Sequence, residues 1–287
     1  MFIKIAIAYD FDGTLAPGNM QEHSFIPNLK INKDAFWKEA NEKAKEQDMD
    51  EVLAYMQLML QKADKKNIPI TKKAFFDYGK ELVFFKGVET FFNRINKYAA
   101  EKNAKIEHHI ISSGIRDIIK GTSIANNFTN IFASGFAYNE KNVAVWPALA
   151  INYTNKTQYL FRINKGINNS YDNTKINKFV DHDKRPIPFS RMIYLGDGET
   201  DVPAMKMIKY QRGTAIAVYD PDKETKKDKF SPKQMCEKLI EQQRADYIAP
   251  AVYTNNSKLD KIIKTLINRI IEEEKLRLFK ISETLSL

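Results

Sequence analysis

The sequence predicts an α/β protein, a doubly wound and mostly parallel sheet with a helical block inserted after its first strand. Three observations carry this. Short apolar runs alternate with segments of helical periodicity, which implies parallel strands joined by helical crossovers. The opening run, Ile3, Ile5 and Ile7 with Ala6 and Ala8 interleaved, reads as a strand buried on both faces. Three strands then end in polar residues: Asp10 and Asp12, Ser112 and Ser113, Asp197 and Asp201. Open parallel sheets bind ligands beyond the carboxyl ends of their strands, so these groups belong together.

The elements follow in order. From Asn32 to Lys66 the pattern is helical, and Val52, Met56, Met59 and Ala63 line one face. A second helical stretch covers roughly 71–84. In FFKGVETFFNRINKYAA a glycine turn at Gly87 precedes an amphipathic helix with Val88, Phe91, Phe92, Ile95, Tyr98 and Ala99 on one side. IEHHIISS is the second strand, and IFASGFAY with VAVWPALAI makes a strand and hairpin. KTQYLFRINKG fits a helix stopped by Gly166. A polar loop occupies 167–190. MIYLGDG is a strand, followed by a helix near Val202 with Pro203 in its first turn. TAIAVY and DYIAP are further strands, and a last helix runs from about Leu259 through Leu276. The domain expectation is a core of 1–16 and 87–258, a helical cap of 17–86 and a C-terminal helical extension of 259–287.

Composition narrows the class. With 43% hydrophobic and 28% charged residues in 287, the chain can bury a large core. The net charge of +9 comes from dispersed lysines. Such a surface favours anionic ligands. Without a basic run interleaved with aromatics it argues against a nucleic-acid partner. One cysteine, Cys236, excludes a disulfide framework and a multi-cysteine zinc site. No 18-residue apolar stretch offers a membrane span, and the apolar start is too short for a signal peptide. A cytoplasmic setting is the expectation.

The polar strand ends form a chemical kit. Four carboxylates, Asp10, Asp12, Asp197 and Asp201, with no histidine cluster beside them, suit magnesium rather than zinc. Magnesium beside a carboxylate pair invites a phosphate, whose oxygens it can neutralise. Asp10 could then attack phosphorus and Asp12 could protonate the leaving oxygen. Calcium loops fail on spacing. Counted from Asp10 the sixth and twelfth positions are Leu15 and Gln21, and from Asp197 the sixth is Val202, where glycine and glutamate are needed.

These residues carry a resemblance. Asp10-Phe11-Asp12-Gly13-Thr14 resembles the first motif of the haloacid dehalogenase superfamily. Ser112, followed by Ser113-Gly114, resembles its second, and Gly196-Asp197-Gly198-Glu199-Thr200-Asp201 its fourth. The resemblance implies a Rossmann-like core, with Asp10 as nucleophile and Asp12 as general acid and base. It implies a magnesium site from Asp10, the Asp12 backbone carbonyl, Asp197 and Asp201. Thr14, Ser112, Ser113 and a lysine would bind the phosphate. For that lysine Lys156 is preferred to Lys165, because Thr154 or Asn155 could cap its helix and start it near the active end. An acid at Asp12 points to a phosphatase or phosphomutase acting on a small phosphorylated metabolite. The helical insert is similar to the cap of phosphoserine phosphatase-like members. That branch carries a glutamate nine residues past the nucleophile, where this chain has Asn19, with Glu22 out of register. The alternatives are a phosphotransferase of the same superfamily and a binding protein on the same core.

Overall fold

A computed structural model of the chain describes residues 2–181, 184–225 and 230–284. Its strands are β1 (Ile3–Tyr9), β2 (Ala104–Ile115), β3 (Asn130–Tyr138), β4 (Ala144–Leu149), β5 (Met192–Gly196), β6 (Thr214–Tyr219) and β7 (Tyr247–Pro250). They form one sheet in the order β4-β3-β2-β1-β5-β6-β7, parallel throughout except for the β3–β4 hairpin. The helices are α1 (Phe25–Asn28), α2 (Lys33–Glu46), α3 (Glu51–Lys66), α4 (Lys72–Gly79), α5 (Val88–Ala100), α6 (Arg116–Lys120), α7 (Lys156–Asn164), α8 (Asn173–Asn177), α9 (Val202–Tyr210), α10 (Pro232–Glu241) and α11 (Lys258–Thr284).

The period of two in β1 sorts its side chains between two apolar layers. Ile5, Ile7 and Tyr9 join the layer that includes Phe91, Phe92 and Ile267. Ala6 and Ala8 join the one built on Tyr159, Tyr194 and Met205. Register then sets the functional end. Tyr9 lies level with Ile110 on β2 and with Leu195 on β5, so the aspartates after β1 and β5 emerge at one edge with Ser112 and Ser113. These serines lie within β2, where its pairing to β3 shifts register, rather than past its end as expected.

Several boundaries differ from the sequence reading. The stretch 32–66 is two helices, because Asp48 turns left-handed and the Asp50 carboxylate caps α3 by accepting from Val52 and Leu53 N–H. The helix expected over 71–84 stops at Gly79, which lies against α6. A Cβ there would stand 2.0 Å from the Ile118 carbonyl. The loop 167–190 contains α8, capped by Asp172, and its residues 182 and 183 lie outside the described ones. The segment after α7 is held by Arg162, fully buried, whose guanidinium donates to the Asn169 and Asp172 carbonyls at 2.9 and 3.2 Å. Helix α11 is longer than expected. Its Leu259, Ile263, Leu266, Ile267, Ile270 and Ile271 are buried in the main core, while Leu276 and Leu278 are exposed. Residues 285–287 of the expected extension lie outside the described ones. Among the described residues no helix is long and apolar enough to cross a membrane.

Candidate active site

Asp10 follows β1 directly, and its N–H donates to the Leu195 carbonyl at 2.9 Å, tying it to β5. The next residues close a tight turn in which Leu15 and Ala16 N–H converge on the Phe11 carbonyl. Gly13 sits in that turn at φ +73°. A Cβ on it would lie 2.1 Å from Asp197 Oδ2, so the first and last acidic segments meet only because residue 13 has no side chain. Asp12 is anchored by Met20 N–H, which donates to Oδ1 at 2.9 Å.

Asp201 is fully buried and heavily used. Its Oδ1 accepts from Tyr194 OH at 2.6 Å and from Lys156 Nζ at 2.7 Å, and its Oδ2 accepts from Asp197 N–H at 3.1 Å. Lys156 Nζ also stands 3.1 Å from Asp10 Oδ2, while Asp10 Oδ1 accepts from Phe11 N–H at 2.8 Å. Lys165 is elsewhere, donating to the carbonyls of Ile176 and Lys178. The start of α7 is not capped as expected from Thr154 or Asn155. Asn152 Oδ1 instead accepts from Asn155 N–H at 3.0 Å.

The electrostatics of this cluster call for a cation. Burial, then the Asp201 charge, pushes the Asp10 carboxyl up to about 6 against the pull of Lys156. Burial with the Asp201 and Asp10 charges pushes Asp197 up to about 8. Asp12 is held well above the carboxylate range, by burial first and the Asp10 charge second. Burial opposes a charge on Lys156, but the Asp10 and Asp201 carboxylates overcome it and raise its pKa. Oxygens of Asp10, Asp197 and Asp201 lie within 4.8 Å of one another. One lysine does not neutralise three carboxylates, two of them buried, and an all-oxygen donor set fits a hard divalent ion. Asp201 already accepts from three donors, which leaves Asp197 the most open carboxylate of the group.

Above the cluster lies a cavity of about 620 Å³. Asp10, Asp12, Asp197, Ser112 and Ser113 line its floor, and Gln21, Glu22, Lys33, Trp37 and Tyr55 its helical wall. Ser112 Oγ accepts from Gly114 N–H at 3.0 Å, and the Ser113 carbonyl accepts from Tyr55 OH at 2.6 Å. Thr14 is fully buried and is not among the lining residues. Its carbonyl accepts from Tyr253 OH at 2.7 Å, and its Oγ1 has no partner among the described residues. His108 and His109 are packed inside the sheet. His23 meets the Pro17 carbonyl, and Cys236 is buried beside the Val218 carbonyl.

Sequence reasoning missed Tyr194, Gln21, Trp37 and Tyr55. A tyrosine within the aliphatic strand MIYLG was a signal for the first, because a buried hydroxyl needs a partner. The wall residues carried no local signal.

Comparison with known proteins agrees with this architecture. A curated protein of Borreliella burgdorferi, described as uncharacterized, is 29% identical over 283 residues, covering 89% of this chain and 93% of its own. A phosphoserine phosphatase carrying a phospho-aspartyl intermediate analogue shares the fold at a TM-score of 0.53 and 13% identity, over 92% of this chain and 99% of that one. A HAD family hydrolase from Salmonella enterica serovar Typhi does so at a TM-score of 0.53 and 14% identity, over 90% and 69%. The model of the haloacid dehalogenase-like hydrolases matches residues 7–206, more than two-thirds of the chain. With its acidic strand ends gathered on a doubly wound sheet, this chain belongs to the haloacid dehalogenase-like hydrolase family.

Proposed function

We propose that the chain is a magnesium-dependent phosphomonoester hydrolase that acts on a small phosphorylated metabolite through an aspartyl-phosphate on Asp10. The observation that carries this is the convergence of Asp10, Asp12, Asp197 and Ser112 on the floor of one cavity, with the Lys156–Asp201 pair buried behind Asp10. The phosphoserine phosphatase of the same fold, with its phospho-aspartyl analogue, supports the reading.

Asp10 is the nucleophile. Lys156 and the Phe11 N–H orient its carboxylate and offset the charge of an approaching phosphate. Asp12 is the general acid and then the general base. Its raised pKa lets it hold a proton for the leaving oxygen, and the Met20 N–H fixes Oδ1 so that Oδ2 is the working atom. When the alcohol has left, Asp12 takes a proton from the water that attacks the aspartyl-phosphate. Ser112 hydrogen-bonds the phosphoryl group. Ser113 lines the cavity beside it, at the end of β2. Asp10, the Asp12 carbonyl, Asp197 and Asp201 would hold magnesium, which would supply neutralisation of the phosphoryl oxygens. The domains divide as core (1–16 and 87–258), cap (17–86) and C-terminal helix (259–287), and the cap closes over the site to exclude water during the first step.

The test is phosphate release from a broad phosphomonoester panel, with magnesium and with chelator, for wild type and Asp10→Asn. Magnesium-dependent release without any added acceptor, abolished in the variant, is expected. Turnover that survives Asp10→Asn would refute the nucleophile, and release that needs a second alcohol would make the enzyme a phosphotransferase.

A further inference from the structure

Resting on the hydrolase reading above, we propose that the cavity selects a neutral, hydroxyl-bearing leaving group, a polyol or sugar phosphate, with the Gln21 side-chain carbonyl accepting a substrate hydroxyl. Gln21 is 2% exposed, lines the cavity, and keeps its Oε1 buried with no hydrogen-bond partner among the described residues. Buried acceptors are nearly always satisfied, so an unspent one on a residue that lines a ligand cavity calls for a donor on the ligand. Its position matters. Gln21 directly follows Met20, whose N–H holds the carboxylate of Asp12, the proposed acid for the leaving oxygen.

The neighbouring groups are already committed. The Glu22 carboxylate accepts from Asn19 Nδ2 at 2.8 Å, Lys33 Nζ at 3.0 Å and Trp37 Nε1 at 2.9 Å. Saturated in this way, Glu22 does not serve a substrate ammonium, and Lys33 does not serve a substrate carboxylate. Trp37, with its N–H occupied, presents only carbon surface, as Val52 does on the same wall. Glu51 accepts from Tyr153 OH at 2.8 Å, and Asp220 accepts from Asp222 N–H at 2.9 Å. Apart from the acidic floor, the charged lining is Glu22, Glu51 and Asp220 against Lys33 and Lys223, so anions outnumber cations there and disfavour a second anionic group. The wall therefore rejects phosphorylated amino acids and carboxylic acids and reads a hydroxyl.

Matched esters test this. Wild type is assayed on glycerol phosphate against propyl phosphate and on sorbitol 6-phosphate against hexyl phosphate, with phosphoserine and phosphoglycolate alongside. Removing the hydroxyls is expected to lower kcat/KM by tenfold or more, as roughly expected when a buried acceptor is left unpaired. Gln21→Met should bring each ratio to within about threefold of one. The same esters are titrated calorimetrically into Asp10→Asn protein, which reads recognition without turnover. Tighter binding of the hydroxylated esters with no wild-type turnover would sustain the selectivity and overturn the hydrolase. Turnover indifferent to hydroxyls, or fastest on phosphoserine or phosphoglycolate, would overturn the selectivity and leave the hydrolase standing. Neither binding nor turnover of any ester would overturn both.

Discussion

Lys156→Met isolates the buried charge cluster. The lysine is 1% exposed and stands 2.7 Å from Asp201 and 3.1 Å from Asp10, themselves 0% and 6% exposed. At an effective dielectric near 20 these contacts are worth about 6 and 5 kcal/mol of attraction, before the cost of burying the ammonium. Methionine keeps the volume but leaves two carboxylates without their cation. Breaking such a pair typically costs about 3–5 kcal/mol. The assay is urea unfolding in chelator. A carboxyl whose folded pKa is raised above its unfolded value contributes stability at low pH that is lost as pH rises through the folded pKa. Burial already lifts Asp10 to about 6, and removing Lys156 lifts it further, so the penalty should grow between pH 5 and pH 8. Adding Asp201→Asn should recover part of the loss, because it removes one orphaned charge. A penalty below about 1 kcal/mol, flat with pH, would refute the reasoning, since it would mean the lysine is not needed to neutralise the pair.

Gly13→Ala places a Cβ 2.1 Å from Asp197 Oδ2 in a left-handed turn, so phosphate release should fall a hundredfold or more, roughly what mispositioning of reacting groups by an ångström costs. Far-UV dichroism of that variant should stay native. His108 is buried between Tyr9 OH at 2.9 Å and Asn96 Oδ1 at 3.0 Å, and burial pushes its pKa down to about 3. It stays neutral when folded and takes a proton when unfolded, so below about pH 6.5 it subtracts up to about 1.4 kcal/mol per pH unit. Urea midpoints of wild type and His108→Gln from pH 7 to pH 4 should therefore converge. Arg162→Met orphans the Asn169 and Asp172 carbonyls and should cost about 2–3 kcal/mol by thermal or urea unfolding. It should also speed proteolysis within 167–177.

The sheet and its polar edge were legible because both follow from short-range rules. A period of two sorts Ile5, Ile7 and Tyr9 from Ala6 and Ala8, and parallel register carries the residues after β1 and β5 and the last residues of β2 to one edge. Asp10, Asp12, Ser112 and Asp197 were therefore readable as a group from the sequence itself. Helix limits were less legible, since Gly79 ends α4 through a close approach to α6, and neither Thr154 nor Asn155 caps α7 with its side chain. Only the tertiary structure decided what depends on the angle between distant elements. The choice of Lys156 over Lys165 rests on where α7 crosses the sheet. The commitment of Asp201 rests on Tyr194 beneath it, and the wall of Gln21, Glu22 and Trp37 on how the 3-10 turn at Met20–Glu22 and α2 pack beside the strand ends. Strand ends are set by their neighbours in the chain and the ladder. A side chain on an inserted helix is placed by packing, which no local pattern encodes.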